Sequence, residues 1–221
     1  MTSADPQALY RDRENLVSAR EAAAIWQGRL TANPKDFDSA YRLAQAQYWL
    51  GTNGLPPEER KAALEAGITA ARSAIALNAA RPEGHFWLAA NMGALAESFG
   101  LRQGIKYRGQ IKDALLAVLK IDPAFQQGSA DRALGRWYYK VPGLFGGSNR
   151  RSEEHLRKSL TYNPNSVISH LFLGETLEDM GRKDEARKEY QAALDAPIDP
   201  EWAPEDRRFK AQATDALKRL R

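Results

Sequence analysis

Side chains that could perform chemistry are few in this sequence and lie far apart. The three histidines are His85, His155 and His170, and none has a carboxylate or a second histidine four residues away in the pattern of a metal site. The chain contains no cysteine, so it can form no disulfide, thiolate zinc site or thiol nucleophile. We therefore expect structural or surface roles for the histidines, and no metal or other cofactor.

Clustered carboxylates are the second candidate for chemistry, because a pair can act as general acid and general base. Glu153 and Glu154 are adjacent, and Glu175, Glu178 and Asp179 follow one another at helical spacing. Charges at helical spacing usually form a solvated helix face. No phosphate-binding glycine motif or nucleophile with its base accompanies them. The sequence therefore predicts that the protein is not an enzyme.

Residues 145–151, Phe-Gly-Gly-Ser-Asn-Arg-Arg, could bind an anion, because glycines ahead of a helix expose backbone amides and the two arginines add positive charge. The alternative is an ordinary turn at the start of a helix, with Ser148 or Asn149 as the N-cap. We favour this alternative, since the segment is much shorter than a phosphate-binding motif.

A basic run with no acid extends over residues 102–112 and contains Arg102, Lys106, Arg108 and Lys112. It could attract phosphate, lipid headgroups or an acidic partner, although a solvated insertion is the more common role of such a run. The formal net charge of the whole chain is only +4. That charge is too small to indicate nucleic-acid binding, so we expect no nucleic-acid partner.

Self-similarity along the chain locates the helices that must position these residues. Asn33-Pro34, Asp122-Pro123 and Asn163-Pro164 each close a segment with helical apolar periodicity, and Leu77-Asn78-Ala79 takes the corresponding place between the first two. The intervals exceed the roughly 34 residues of a standard two-helix repeat, so insertions must lie within the units. The chain therefore divides into about four units.

Each unit contains parts of the tetratricopeptide consensus. In its second helix a small residue and a bulky residue precede proline, as in Ala22, Trp26 and Pro34, because the small residue lets helices approach and proline ends the helix. Its first helix has Leu-Gly followed by aromatic residues, as in residues 134–138. We predict an all-α, tetratricopeptide-like helical-repeat superhelix of about four two-helix units plus capping helices.

The repeats predict a single helical-repeat domain over residues 1–221. Residues 1–36 are expected to form an N-terminal helix and half repeat, 37–200 the repeats, and 201–221 a C-terminal capping helix whose apolar face protects the stacked core. No apolar stretch is long enough to span a membrane or to form a signal-peptide core. Cytoplasm and periplasm both remain open as the compartment.

A tetratricopeptide array turns certain side chains of each first helix toward a concave groove. These positions lie two before and two after the leucine of the Leu-small pair, and five and six after it. The predicted partner-binding residues obtained by this count are Tyr41, Gln45, Tyr48, Trp49, Phe86, Arg132, Arg136, Tyr139, Lys140 and Glu175. The same count adds Ala90, Leu171, Glu178 and Asp179. The groove is thus predicted to be aromatic at one end, cationic in the middle and acidic at the other.

Such a groove suits an extended protein or peptide, because aromatic anchors supply contact area and arginine binds carboxylates with two hydrogen bonds. The strongest recognition patch is predicted at Arg132, Arg136, Tyr139 and Lys140. Two alternatives remain open. The arginines could instead pair with acids of neighbouring helices and fasten the stack, or residues 5–20 could fill the groove from within the same chain.

Residues 85–91, 134–139 and the loop 141–148 carry a more specific resemblance. They are similar to the group of tetratricopeptide proteins that includes the T component of TRAP transporters (TatT), with a fainter likeness to the regulator of microtubule dynamics proteins. The resemblance implies a non-enzymatic scaffold that forms homo-oligomers and docks a transporter-associated partner. A lipid-anchored member of the group has a cysteine, which this sequence lacks.

Overall fold

The structure, a computed structural model, describes residues 5–220, without the side chains of Leu101 and Arg102. Arg102 of the basic run therefore lies outside the described side chains. Over the described residues the chain forms eleven α-helices and one short 3-10 helix, and no strand. This confirms the all-α prediction.

The helices follow one another with short connections. Their bounds are α1 Pro6–Arg11, α2 Leu16–Ala32, α3 Phe37–Thr52, α4 Pro57–Leu77, α5 Pro82–Ser98, α6 Leu101–Ile121, α7 Phe125–Lys140, α8 Asn149–Tyr162, α9 Val167–Asp179, α10 Lys183–Asp195 and α11 Ala203–Arg219, with the 3-10 helix at Gly143–Phe145 between α7 and α8.

Two compact units make up the chain, the first ending at Asp122 and the second beginning at Pro123. In the first unit, α1 to α6 pack in order, and α3 also packs against α5. In the second unit, α7 to α11 pack in order, and α9 also contacts both α7 and α11. Contact between alternate helices is the pattern of a two-helix repeat, in which the first helices of adjacent repeats are neighbours.

Helix ends form where the sequence predicts them. At Asn33 and Asn163 the backbone leaves the helical conformation immediately before proline, which cannot continue the helix. Asp36 caps α3, because its side chain accepts hydrogen bonds from the backbone N–H and the hydroxyl of Ser39 at 3.0 and 2.6 Å. The same two bonds hold the pKa of Asp36 below its ordinary value. Ser148 caps α8, which agrees with the helix-start interpretation of residues 145–151.

The glycine of the Leu-Gly pair is required by the packing of paired helices in the second unit. A Cβ added to Gly135 would lie 2.5 Å from Leu156 Cγ, and one added to Gly174 would lie 2.5 Å from Tyr190 Cε1. Both neighbours are fully buried. Phe209 of α11 completes the same core. The small residue of the repeat consensus therefore fixes how closely α7 approaches α8 and α9 approaches α10.

Candidate partner-binding surfaces

On α3, the predicted groove residues Tyr41, Gln45 and Tyr48 are partly exposed. The guanidinium of Arg81 lies 4.1 Å from the Phe37 ring and 5.9 Å from the Tyr41 ring, so it covers part of this aromatic surface. Burial raises the pKa of the Tyr41 hydroxyl. The Tyr48 ring packs 5.7 Å from a neighbouring tryptophan ring on α5. These side chains thus contribute a partly covered aromatic surface.

Trp49 is buried beneath the N-terminal residues rather than open to a groove. It is 5% exposed, and its indole N–H donates to the backbone oxygen of Arg13 at 2.6 Å. Arg13 is itself buried, with its guanidinium 5.0 Å from the Tyr10 ring and 5.2 Å from the Trp49 ring. At Trp49, therefore, the chain's own N-terminal residues cover the predicted groove, which is one of the two alternatives raised by the sequence.

Phe86 is also buried, at 8% exposure, with its ring 5.1 Å from the Trp87 ring. Counting positions along a repeat gives the direction of a side chain but not what packs over it. Trp49 and Phe86 are consequently core residues of the first unit, and the accessible part of its predicted groove is reduced to Tyr41, Gln45 and Tyr48.

In the second unit, the Arg136 side chain is bound by other side chains of the same unit. Its guanidinium forms an ion pair with Glu175 of the neighbouring first helix and stacks 4.4 Å from the Phe172 ring. The side chains of Arg136 and Glu175 are only 20% and 26% exposed. A paired, stacked arginine is a poor receptor for an incoming carboxylate, because the partner would have to displace Glu175. Arg136 therefore fits the other alternative, in which an arginine pairs with an acid of a neighbouring helix and fastens the stack.

Arg132 and Lys140 have different surroundings. Arg132 is partly exposed. Burial raises the pKa of Asp206 on α11, and Arg132 lies near enough to oppose this rise slightly. Lys140 is exposed at the end of α7, with its Nζ 5.3 Å from the Tyr139 ring. The four predicted patch residues therefore share one helix but not one environment.

An open depression of about 390 Å³, called the cavity below, lies beside this patch, within the second unit. Its lining comes from the ends of α7, α9 and α11: Tyr139, Glu175, Glu178, Asp179 and Arg219. The count of repeat positions predicted the first four of these. Arg219 was missed, because only the fold brings the last turn of the capping helix beside α9.

Carboxylates dominate the electrostatics of the cavity. Glu178 accepts a hydrogen bond from the Tyr190 hydroxyl at 2.7 Å and lies 3.9 Å from the exposed Arg219. Asp179 accepts one from the amide of Asn149. Burial, then Glu175 and Asp179, raise the pKa of Tyr139, so its hydroxyl stays protonated near neutral pH. The lining is acidic, with one phenol ring and one exposed arginine.

Two histidines of the second unit connect helices. His155 Nδ1 lies 2.7 Å from the Oδ1 of the fully buried Asp131. His170 contacts Glu189 through Nδ1 at 2.7 Å and the Pro164 oxygen through Nε2 at 2.9 Å. Burial disfavours the charged ring of His170, but these two acceptors raise its pKa above the ordinary value. Both side chains have structural contacts.

Metal ligation and membrane crossing find no support within residues 5–220. No group of three or more histidine, aspartate or glutamate side chains in that range is arranged to hold a metal ion. None of the helices described there is both long and apolar enough to cross a membrane.

Paired helices in contact through small residues, with alternate helices adjacent, define a tetratricopeptide-type helical-repeat protein. Solved structures share this fold. TTC0263, a thermophilic TPR protein of Thermus thermophilus, superposes with a TM-score of 0.70 at 22% identity, covering 96% of this chain and 99% of that one. MamA gives 0.57 at 17% identity, covering 91% and 95%. YrrB gives 0.52 at 15% identity, covering 90% and 93%.

The sequence itself identifies a family within this class. The sequence profile of the regulator of microtubule dynamics protein 1-3 family matches residues 7–145, which is more than half of the chain. The chain belongs to this family. Comparison with curated proteins found no match.

Proposed function

We propose that this protein is a non-enzymatic scaffold that binds an extended segment of a partner protein along the first helices of its second unit. The observation that carries the proposal is the cavity formed by the ends of α7, α9 and α11. A concave site with one aromatic ring and several charged groups can hold a side chain of a peptide and fix its orientation. YrrB, which shares the fold, is described as a TPR protein with an unusual peptide-binding site.

The charges of the lining indicate the partner's chemistry. Arg136 already neutralises Glu175, whereas Glu178 and Asp179 accept hydrogen bonds from the uncharged Tyr190 hydroxyl and Asn149 amide. These two carboxylates therefore keep negative charge for a ligand, opposed by the exposed Arg219. A lysine or arginine of the partner would enter between these carboxylates, with its aliphatic stem against the Tyr139 ring. The proposed partner is therefore a peptide segment with a basic residue, rather than the acidic segment suggested by the arginines in the sequence.

A transporter-associated component, as in the TatT group, is the alternative that the sequence resemblance suggests. A carrier of apolar ligands would need a closed apolar cavity, whereas this cavity is lined mainly by charged groups. The lining therefore favours a docking role over a carrier role.

Selection from a random peptide library on the immobilised full chain tests the proposal. We expect enrichment of peptides that contain lysine or arginine, and an affinity for the best peptide that falls about tenfold or more in Glu178→Gln/Asp179→Asn, because each charge-assisted hydrogen bond contributes about 1.5–3 kcal/mol. Asp184→Asn/Asp215→Asn is the matched control, since both acids are exposed in the same unit. Equal losses in the two variants, or enrichment of acidic peptides, would contradict the proposal.

A further inference from the structure

The connection between α7 and α8 exposes an apolar side chain on an ordered turn. We call residues 141–148 the knuckle. Leu144, in its 3-10 helix, is 90% exposed, and the adjacent Phe145 is 38% exposed. Among the large hydrophobic residues described as exposed, Leu144 has the greatest exposure. Single exposed apolar residues are common on surfaces, so the knuckle needs further features to indicate a binding role.

Hydrogen bonds close the knuckle into a defined shape. The backbone N–H of Phe145 donates to the Pro142 oxygen at 2.8 Å, and the Ser148 N–H donates to the Tyr138 oxygen at 2.9 Å. A Cβ on Gly147 would overlap the Val141 carbonyl, so only glycine allows this close return of the chain. Leu144 is therefore held outward by a built turn and does not lie on a loose segment.

The same bonds prepare the backbone for an apolar environment. The N–H groups of Gly146 and Gly147 also donate within the turn, to the Gly143 and Pro142 oxygens at 3.0 and 3.2 Å. Pro142 has no N–H to satisfy. Burying an unpaired backbone donor in hydrocarbon costs several kcal/mol, so a loop that enters such a medium must bond its own donors. The N–H groups of Phe145, Gly146, Gly147 and Ser148 meet this condition. Those of Gly143 and Leu144 donate to no backbone oxygen of residues 5–220, so the tip can go no deeper than the headgroup boundary, where water and lipid oxygens accept.

Positive charge adjoins the knuckle on both sides. From residue 132 to residue 152 the sequence contains five basic residues and no acid. Lys140 ends α7, and Arg150 and Arg151 lie in the first turn of α8; all three are exposed. The ion pair between Arg150 and Glu154 is long and solvated: the two groups are 3.8 Å apart, and the Arg150 side chain is 79% exposed. Asp179 also lies nearby, where its carboxylate accepts a hydrogen bond from the Asn149 amide and lines the cavity beside Tyr139.

We propose that the knuckle is a shallow anchor for an anionic lipid surface. Leu144 and Phe145 enter the boundary between headgroups and acyl chains, while Lys140, Arg150 and Arg151 contact the headgroups. A protein pocket would need a shape matched to one leucine. The boundary of a bilayer requires only an apolar tip with exposed cations beside it, which are the features found here. The inference is independent of the proposed peptide site.

Fluorescence of the full chain tests the anchor. Because the chain has no cysteine, Leu144→Cys gives a unique site for a polarity-sensitive dye, and Val17→Cys, 69% exposed in the first unit, gives a matched control site. With vesicles of phosphatidylcholine and phosphatidylserine we expect a blue shift of the dye at residue 144 and none at residue 17. Vesicles of phosphatidylcholine alone should bind about tenfold more weakly.

Co-sedimentation of unlabelled chains with the same anionic vesicles tests the apolar tip and the basic side chains separately. Leu144→Ser should weaken partitioning about tenfold, and Lys140→Gln/Arg150→Gln should weaken it about tenfold at low salt. Lys35→Gln, an exposed lysine of the first unit, should change nothing. Circular dichroism should be the same for all variants, because every substituted side chain is exposed.

Three outcomes would overturn the anchor. One is unchanged emission of the dye at residue 144 on anionic vesicles, and another is an equal shift of the dye at residue 17. The third is a blue shift that needs no vesicles and grows with protein concentration, which would make a pocket on another copy of the chain the occupant of Leu144. Equal co-sedimentation of wild type and Leu144→Ser would argue against insertion in the same way.

Discussion

Trp49 and Lys140 occupy the same position of the repeat, six residues after the leucine of the Leu-small pair, yet their surroundings are opposite. Trp49 in the first unit is buried beneath Arg13, whereas Lys140 in the second is exposed. Tyr48 and Tyr139, one residue earlier, are both partly exposed but have different neighbours: the first packs on an aromatic ring and the second borders a cavity. Position in a repeat thus sets direction, and neighbouring segments decide whether a side chain is available to a partner.

Removal of Trp49 should have the largest effect. Trp49→Ala leaves a cavity in the first unit and an unpaired carbonyl at Arg13, so we expect a loss of about 3–5 kcal/mol in unfolding free energy. Lys140→Ala, at the equivalent position, should change it by less than about 0.5 kcal/mol. Urea denaturation followed by circular dichroism measures both. Similar values for the two variants would remove the contrast between the units.

Arg136 provides a second test, with Gln45 as its equivalent in the first unit. Arg136→Ala leaves Glu175 partly buried without its ion pair and uncovers Phe172, which should cost about 1–3 kcal/mol. Gln45→Ala should be nearly neutral. The same denaturation experiment decides between them. A stable Arg136→Ala chain that no longer binds its peptide would instead restore the arginine as a recognition residue.

Substitutions of Tyr139 and of Tyr48 should affect different properties, peptide affinity for the first and stability for the second. Loss of the Tyr139 ring removes one wall of the cavity, so Tyr139→Ala should weaken the selected peptide about tenfold, or about 1.4 kcal/mol. Tyr48→Ala should leave the affinity unchanged and lower the stability of the first unit. Fluorescence anisotropy of the labelled peptide gives the affinities. Equal affinity of the two variants would place the peptide elsewhere.

The smallest expected effect is a pH dependence near neutral pH that arises from His170 of the second unit. The raised pKa of His170 means that the folded state binds its proton more tightly than the unfolded state. Its contribution, at most about 1 kcal/mol, is present below the unfolded pKa near 6.5 and is lost as pH rises through the folded pKa. Thermal unfolding across this range should show a slope that His170→Gln reduces. An unchanged slope in His170→Gln would contradict this assignment.

The sequence was sufficient for the helices, because their signals are local. Asn-Pro pairs end helices, and Gly135 and Gly174 occupy positions where a Cβ would collide with the partner helix. The family assignment corresponds to the fainter of the two resemblances read from the sequence.

Accessibility of the groove could not be predicted, because the contacts that decide it join residues far apart in the chain. Trp49 meets Arg13 across 36 positions, and Arg136 meets Glu175 across 39. Periodicity carries no information about such pairs. Arg219 was not predicted in the cavity lining for the same reason, since it lies far along the chain from the other lining residues.

The burial of Arg13 has a consequence for local opening of the native state. Helix α1 has only six residues, too few to persist without tertiary contacts. Its protection against hydrogen exchange therefore depends on the stacking of Arg13 and Tyr10 on Trp49 and Trp26. Amides of α1 should exchange at a free energy below that of global unfolding. Each opening uncovers Trp49, so the aromatic face of the first unit is exposed for a small, measurable fraction of the time.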